Sequence, residues 1–93
     1  MSHDRWVGML FNDLMGIMSR SASVPRPVRT PGGVLFGGFE VCAALPRRRR
    51  SEAVTVVVRE LSGSETAFAG HLDDDPFLLA CQVARWLGPQ FSS

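Results

Sequence analysis

The chain has 93 residues, of which 45% are hydrophobic, and its formal net charge is +1. This length accommodates one domain with a small core, and the hydrophobic fraction argues against disorder of the whole chain. The net charge argues against a general polyanion binder, although the charges are unevenly distributed. Seven arginines and one acid lie between residues 20 and 50, whereas six acids and two arginines follow residue 50.

The N-terminal segment predicts an amphipathic helix over Asp4–Arg20. Its apolar residues recur at the spacing of one helical face: Val7, Leu10, Phe11, Leu14, Ile17 and Met18. Met9 and Met15 extend the apolar character beyond that face, so this helix needs a packing partner. Asn12 and Asp13 interrupt the segment, which is also too short for a membrane span. We therefore expect a soluble, intracellular protein without membrane contact, cytoplasmic, or nuclear in a eukaryotic or viral setting.

Residues 19–33, SRSASVPRPVRTPGG, predict a proline- and arginine-rich connector within a single domain that spans residues 1–93. Pro25, Pro27 and Pro31 disfavour a helix and favour extended backbone. The glycine pair that follows marks a turn. The connector is expected to join the first helix to the sheet.

Three segments predict an antiparallel meander: Val34–Leu45, Glu52–Leu61 and Glu65–Leu72. The second segment is the clearest strand, because Val54, Val56 and Val58 alternate with more polar residues. The loops between the segments are short and demand antiparallel neighbours. Gly37–Gly38 within the first segment is either a bulge or a tight hairpin turn, and a bulge is favoured because the arms of a hairpin would be short.

The last predicted element is a helix that begins at Pro76 and ends at Gly88. Asp75 fits the N-cap position and Pro76 the first helical position, while the Gly-Pro pair at its end stops the helix. The predicted fold class is therefore α+β. It has two layers, with a helix, a three-stranded antiparallel meander and a second helix in the order αβββα.

An arginine cluster lies between the first two predicted strands. Like charges at a hairpin tip are readily solvated and discourage aggregation of strand ends, but arginines there can also contact phosphate. The candidate phosphate contacts are Arg26, Arg29, Arg47, Arg48, Arg49 and Arg50. The element order is similar to that of double-stranded RNA-binding domains, in which such a loop touches the minor groove. Asp73–Asp75 at the start of the last helix would repel phosphate, so nucleic-acid binding is the second choice.

The residues with catalytic or metal-binding chemistry form no recognisable motif. Nothing in the spacing brings Cys81 to His71, and a zinc set of these two with Cys42 and His3 lacks the paired short spacings of zinc sites. Both cysteines are expected to be free thiols, with a disulfide between them left open. We therefore expect no enzyme activity, no cofactor, no metal and no small-molecule substrate.

The strongest sequence-based inference concerns an excess of apolar surface. Both helices are apolar over more than the stripe that one sheet covers, and the outer sheet face is predicted to be small and mildly polar, with a Glu40–Arg59 cross-strand pair. The leading prediction is a non-enzymatic interaction module, an adaptor, regulator or assembly subunit, that acts as a homodimer or within a larger complex. Its predicted partner-binding residues are Trp6, Met9, Met15, Met18, Val57 and Trp86.

Overall fold

The computed structural model of this chain describes residues 2–44 and 52–91. Within these ranges two α-helices enclose five strands in the chain order: α1 (His3–Met18), β1 (Val28–Thr30), β2 (Gly33–Phe36), β3 (Phe39–Ala44), β4 (Ala53–Glu60), β5 (Glu65–His71) and α2 (Pro76–Leu87), followed by a 3₁₀ turn (Gly88–Phe91). The strands form one sheet in the order β1-β2-β3-β4-β5, and all neighbours are antiparallel. The α+β class is confirmed.

Both helices begin at side-chain caps. The Ser2 hydroxyl accepts the backbone N–H of Arg5 at the start of α1, and the Asp75 carboxylate accepts the N–H of Phe77 at 3.0 Å at the start of α2. Pro76 occupies the first turn of α2, as predicted from the sequence. Among the described residues, neither helix is long and apolar enough to cross a membrane.

The three-stranded meander was a wrong prediction, because its first segment is two strands. Gly37 has a φ of 57°, a left-handed conformation that glycine adopts readily, and the chain reverses there between β2 and β3. Phe36 pairs with Phe39 across this turn, so the bulge favoured for Gly37–Gly38 is a hairpin turn instead. A further short strand, β1, lies within the expected connector and forms a second hairpin with β2.

Both helices pack on the same face of the sheet. The strand register places Gly70 beside Val54, and a Cβ atom on Gly70 would lie 2.7 Å from a Leu79 methyl of α2 and 3.3 Å from the Trp6 ring of α1. The fully buried core residues of the sheet come from the same side: Val34, Phe36, Val41, Val54, Val56 and Val58. Within residues 2–44 and 52–91, no helix lies on the opposite face of the sheet.

Candidate interaction surface

The face of the sheet opposite the helices forms an uncovered surface of small and apolar side chains. Its central row crosses all five strands through successive cross-strand neighbours: Thr30, Gly33, Cys42, Val57 and Ala67. Ala67 is exposed, Thr30, Cys42 and Val57 are half-buried, and Gly33 is buried. This row contains no charged residue. Because solvated sheet faces normally alternate polar residues outward, such a row is unusual for a face in contact with water. We call this surface the uncovered face.

A charged ladder borders the uncovered face at one end. Arg59 lies between two carboxylates, with its Nε 3.1 Å from Glu65 Oε1 and its Nη1 4.0 Å from Glu40 Oε1. The predicted Glu40–Arg59 cross-strand pair is therefore confirmed. The three side chains are about half exposed, so each pair contributes less than about 1 kcal/mol to stability. In the same row, Leu35 and Val28 continue the face across β2 and β1, and the side chain of Val28 is 56% exposed.

Cys42 lies near the centre of the uncovered face as a half-buried free thiol. Its Sγ donates to the Val57 carbonyl at 3.7 Å across the β3–β4 pair. Burial raises the pKa of this thiol, an effect that the nearby Arg59 guanidinium partly offsets. Cys81 is also a free, half-buried thiol, on α2. A raised pKa lowers the thiolate fraction of Cys42 and makes it a weaker nucleophile than an ordinary cysteine.

The residues predicted to bind a partner occupy three different environments. Trp6 and Met18 are buried in the core, so they offer no surface to a partner in this conformation. Met15, Val57 and Trp86 are half-buried, and Met9 is 39% exposed on α1. Of these six residues, Val57 lies on the uncovered face.

Trp86 belongs to an aromatic group on the helix side of the sheet. Its ring makes edge-to-face contacts with Phe39 and with Phe68, at centroid distances of 6.4 and 6.1 Å. Phe91 of the 3₁₀ turn contacts Phe39 in the same way at 5.3 Å. This group joins α2 to β5, and both Phe68 and Trp86 keep part of their surface exposed.

The predicted phosphate contacts divide between described and undescribed residues. Arg47–Arg50 lie outside the described residues. Arg26 is exposed, and Arg29 on β1 turns to the helix side, where its guanidinium lies 5.6 Å from the centroid of the Phe11 ring. No salt bridge to either of these two arginines occurs within residues 2–44 and 52–91. Grouping of the six arginines into one basic patch therefore stays a prediction, because the structure describes Arg26 and Arg29 alone.

Arg29 also lines a cleft between the start of α1 and the β1–β2 hairpin. The cleft has a volume of about 380 Å³, and His3, Val7, Thr30 and Gly33 contribute to its walls. The His3 Nε2 atom is buried without a hydrogen-bond partner among the described residues. The cleft is open and holds both polar and apolar groups.

Sequence reasoning overlooked a cluster around His71 at the other end of the uncovered face. The His71 Nε2 atom lies 3.3 Å from a Glu52 carboxylate oxygen, and its Nδ1 atom accepts the backbone N–H of Asp73 at 3.1 Å. One possible ligand atom from each of Glu52, His71 and Asp73 lies within 4.8 Å of the other two, a spacing that is loose for a metal site. All three side chains are substantially exposed. Glu52 enters this cluster through the β4–β5 register, which links the ends of the two strands.

Sequence reasoning also missed Leu35 and Val28 as members of the uncovered face. Their strands are short and lie between prolines and glycines, so no alternation was visible.

Comparison of the chain with protein-family models, with curated proteins and with solved structures finds no match in any of the three.

Proposed function

We propose that this protein is a non-enzymatic protein-interaction module that acts as a homodimer or within a larger complex. The observation that supports the proposal best is the one-sided arrangement of the fold. Both helices pack on a single face, and the other face presents an uncharged row of small and apolar residues across five strands. An apolar surface of this kind marks interaction sites on proteins in water.

Burial of the uncovered face against a protein is energetically reasonable. About 400 Å² of apolar area, at about 25 cal/mol per Å², is worth on the order of 10 kcal/mol before the costs of association. The central residues are short, so a flat partner surface can approach the backbone closely. The Glu40–Arg59–Glu65 ladder would then lie at the rim, where charges contribute to orientation more than to affinity.

Self-association of the purified chain is the direct test of the homodimer. We expect sedimentation equilibrium at micromolar concentrations to show a reversible dimer. The double variant Val57→Glu with Ala67→Glu introduces two adjacent negative charges into the uncharged row, because these residues pair across β4 and β5. We expect it to weaken association strongly, since burying unpaired like charges is costly.

The matched control adds the same charge elsewhere. Asn12→Asp with Ala22→Glu changes two exposed positions, one on α1 and one in the connector, and should leave association unchanged. Thermal unfolding of both double variants separates lost association from lost folding. A wild-type chain that is monomeric at every concentration contradicts the homodimer. In that case the larger complex is tested by passing extracts of the native source over the immobilised protein. A partner in such a complex should bind to the wild type and not to the Val57/Ala67 variant.

A further inference from the structure

The free edge of β5 carries backbone groups that point away from the sheet. Two bonds define the pattern: Glu60 N–H donates to the Ser64 carbonyl at 2.8 Å, and Leu72 N–H donates to the Glu52 carbonyl at 2.8 Å. In an antiparallel pair, hydrogen-bonded and non-hydrogen-bonded residues alternate. The residues of β5 that bond to β4 are therefore Thr66, Phe68 and Gly70, and those that point outward are Glu65, Ala67, Ala69 and His71.

These outward groups have few partners. Within residues 2–44 and 52–91, no hydrogen bond reaches the outward backbone groups of Glu65, Ala67 or Ala69, and the His71 carbonyl accepts the N–H of Asp74. The strand is seven residues long and pairs with β4 without a bulge. Its sequence, ETAFAGH, has no proline and no lysine, the residues that commonly protect an edge. Such an edge is a template for another strand.

We propose that a second copy of this chain pairs with this edge, β5 against β5, in antiparallel orientation about a two-fold axis at Phe68. In this register Ala67 lies opposite Ala69 of the second copy, and Glu65 lies opposite its His71. The inference rests on the proposed function, because it takes the homodimer from it, and it assigns the contact between the two copies to the β5 edge instead of the uncovered face. Edge pairing joins the two five-stranded sheets into one ten-stranded sheet with a single continuous uncovered face.

The register follows from the outward groups and from charge. With the two-fold axis at Phe68, each of the four outward residues of one copy lies opposite an outward residue of the other copy. A shift by two residues in either direction leaves one of them unpaired at each end and places Glu65 or His71 opposite an alanine. The Phe68-centred register also sets a carboxylate opposite an imidazole at both ends, and opposite partners of this kind stabilise cross-strand pairs.

The side chains on both faces of β5 permit this approach. On the uncovered face the central contacts are between alanines, which leave the backbones free to meet. On the helix side, the half-exposed Phe68 meets its own copy across the axis, and Thr66 lies opposite Gly70. A two-fold axis brings the same surface of the two copies together, so no second complementary patch is needed.

Strand pairing alone is a small interface. A seven-residue strand spans about 24 Å, and a stable dimer buries about 800 Å² on each partner. The additional apolar area lies beside the edge on α2, where Leu78 and Trp86 are two helical turns apart on one stripe and Trp86 contacts Phe68 of β5. Leu78 is 60% exposed. We therefore expect a reversible dimer of micromolar affinity.

The test compares Ala67→Pro with Ala67→Ser by sedimentation equilibrium. Proline at this position removes the outward N–H in both copies but no bond to β4, and proline is tolerated at strand edges whose N–H faces outward. Loss of two hydrogen bonds predicts a dimer at least about thirtyfold weaker for Ala67→Pro. Ala67→Ser retains the N–H and should dimerise like the wild type.

Amide hydrogen exchange on the wild-type chain keeps the proposal testable if Ala67→Pro does not fold. The amides of Thr66 and Phe68 should be protected at every concentration, because they bond to β4. The amides of Ala67 and Ala69 should be protected only at concentrations at which the dimer forms. Rapid exchange of these two amides in the dimer would overturn the proposal.

The single variant Val57→Glu separates this inference from the proposed function. Val57 lies on β4, one strand inside the edge, so an edge-paired dimer should tolerate the change. A dimer that Val57→Glu disrupts and Ala67→Pro leaves intact overturns the edge pairing while the interaction module stands. A chain that stays monomeric at every concentration overturns the edge pairing together with the homodimer.

Discussion

The two edges of the sheet differ in length and in the residues beside them. The β1 edge has three residues and lies between Pro27 and Pro31, whereas the β5 edge has seven residues and no proline within or immediately beside it. Proline lacks the N–H that a further strand would need, and a three-residue strand offers few groups for pairing. The comparison indicates that, among the described residues, the β1 edge is protected against a further strand and the β5 edge is not; we call them the closed edge and the open edge.

The two edges also differ in how the helices hold them. Arg29 on β1 reaches over the Phe11 ring of α1, so the short edge is held by a cation–π contact. On the other side, the Trp6 indole N–H of α1 donates to the Asp74 carbonyl at 2.8 Å, in the loop that follows β5. Helix α1 therefore contacts both sides of the molecule. Variants at these anchor points test each side separately.

The largest effect is expected for Gly33→Ala, which breaks the β1 side. A Cβ atom on Gly33 would lie 1.9 Å from the Val41 carbonyl oxygen, which belongs to the backbone of β3 and cannot move aside cheaply. We expect a loss of about 3 kcal/mol in the free energy of unfolding, measured by chemical denaturation. Monomer and dimer are distinguished by repeating the measurement at two protein concentrations.

Gly32→Ala is the matched control for this variant. No atom lies within 4 Å of the position that an added Cβ would take at this neighbouring glycine, so its replacement should change stability by less than about 0.5 kcal/mol. Equal stability of the two variants would show that the β1–β2 hairpin is not held against β3 as described. The β1 edge would then not be closed in the way that its contacts with β3 indicate.

A smaller effect is expected for Trp6→Phe, which loosens the β5 side. The change removes the hydrogen bond to the Asp74 carbonyl and leaves space beside a fully buried ring. We expect a loss of about 2 kcal/mol in the free energy of unfolding. Trp86→Phe serves as the control, because no hydrogen bond from its indole N–H is present among the described residues. A larger loss for Trp86→Phe than for Trp6→Phe would contradict the role assigned to the Asp74 contact.

The sequence predicts the β4–β5 side of the molecule better than the β1 side. The alternation of Val54, Val56 and Val58 and the Asp75-Pro76 helix start are local patterns, and both are found where they were expected. The outer positions of β4 and β5 follow from the same alternation. Local periodicity is therefore sufficient for long, regular elements.

The β1–β2 hairpin could not be predicted because its evidence is not local. Val28–Thr30 is too short to show alternation, and it is a strand because it pairs with β2, which in turn reverses at Gly37. The flanking prolines and glycines indicate a connector in isolation. The uncovered face was likewise predicted only in part, since its extension onto β1 and β2 depends on this pairing. Burial of Trp6 also depends on a tertiary contact, with the loop after β5.

The smallest effect is expected for the arginines, and it tests whether the protein binds a polyanion instead of a second copy at the β5 edge. We expect wild-type retention on heparin to depend weakly on salt, and the change of Arg47–Arg50 to serine to leave that dependence unaltered. The reason is the low net charge of the chain, together with Asp73–Asp75 at the start of α2 and the contact of the Arg29 guanidinium with the Phe11 ring. A steep salt dependence in the wild type that the four serines abolish would favour nucleic-acid binding. These arginines would then be the main contact of the protein, in place of the β5 edge.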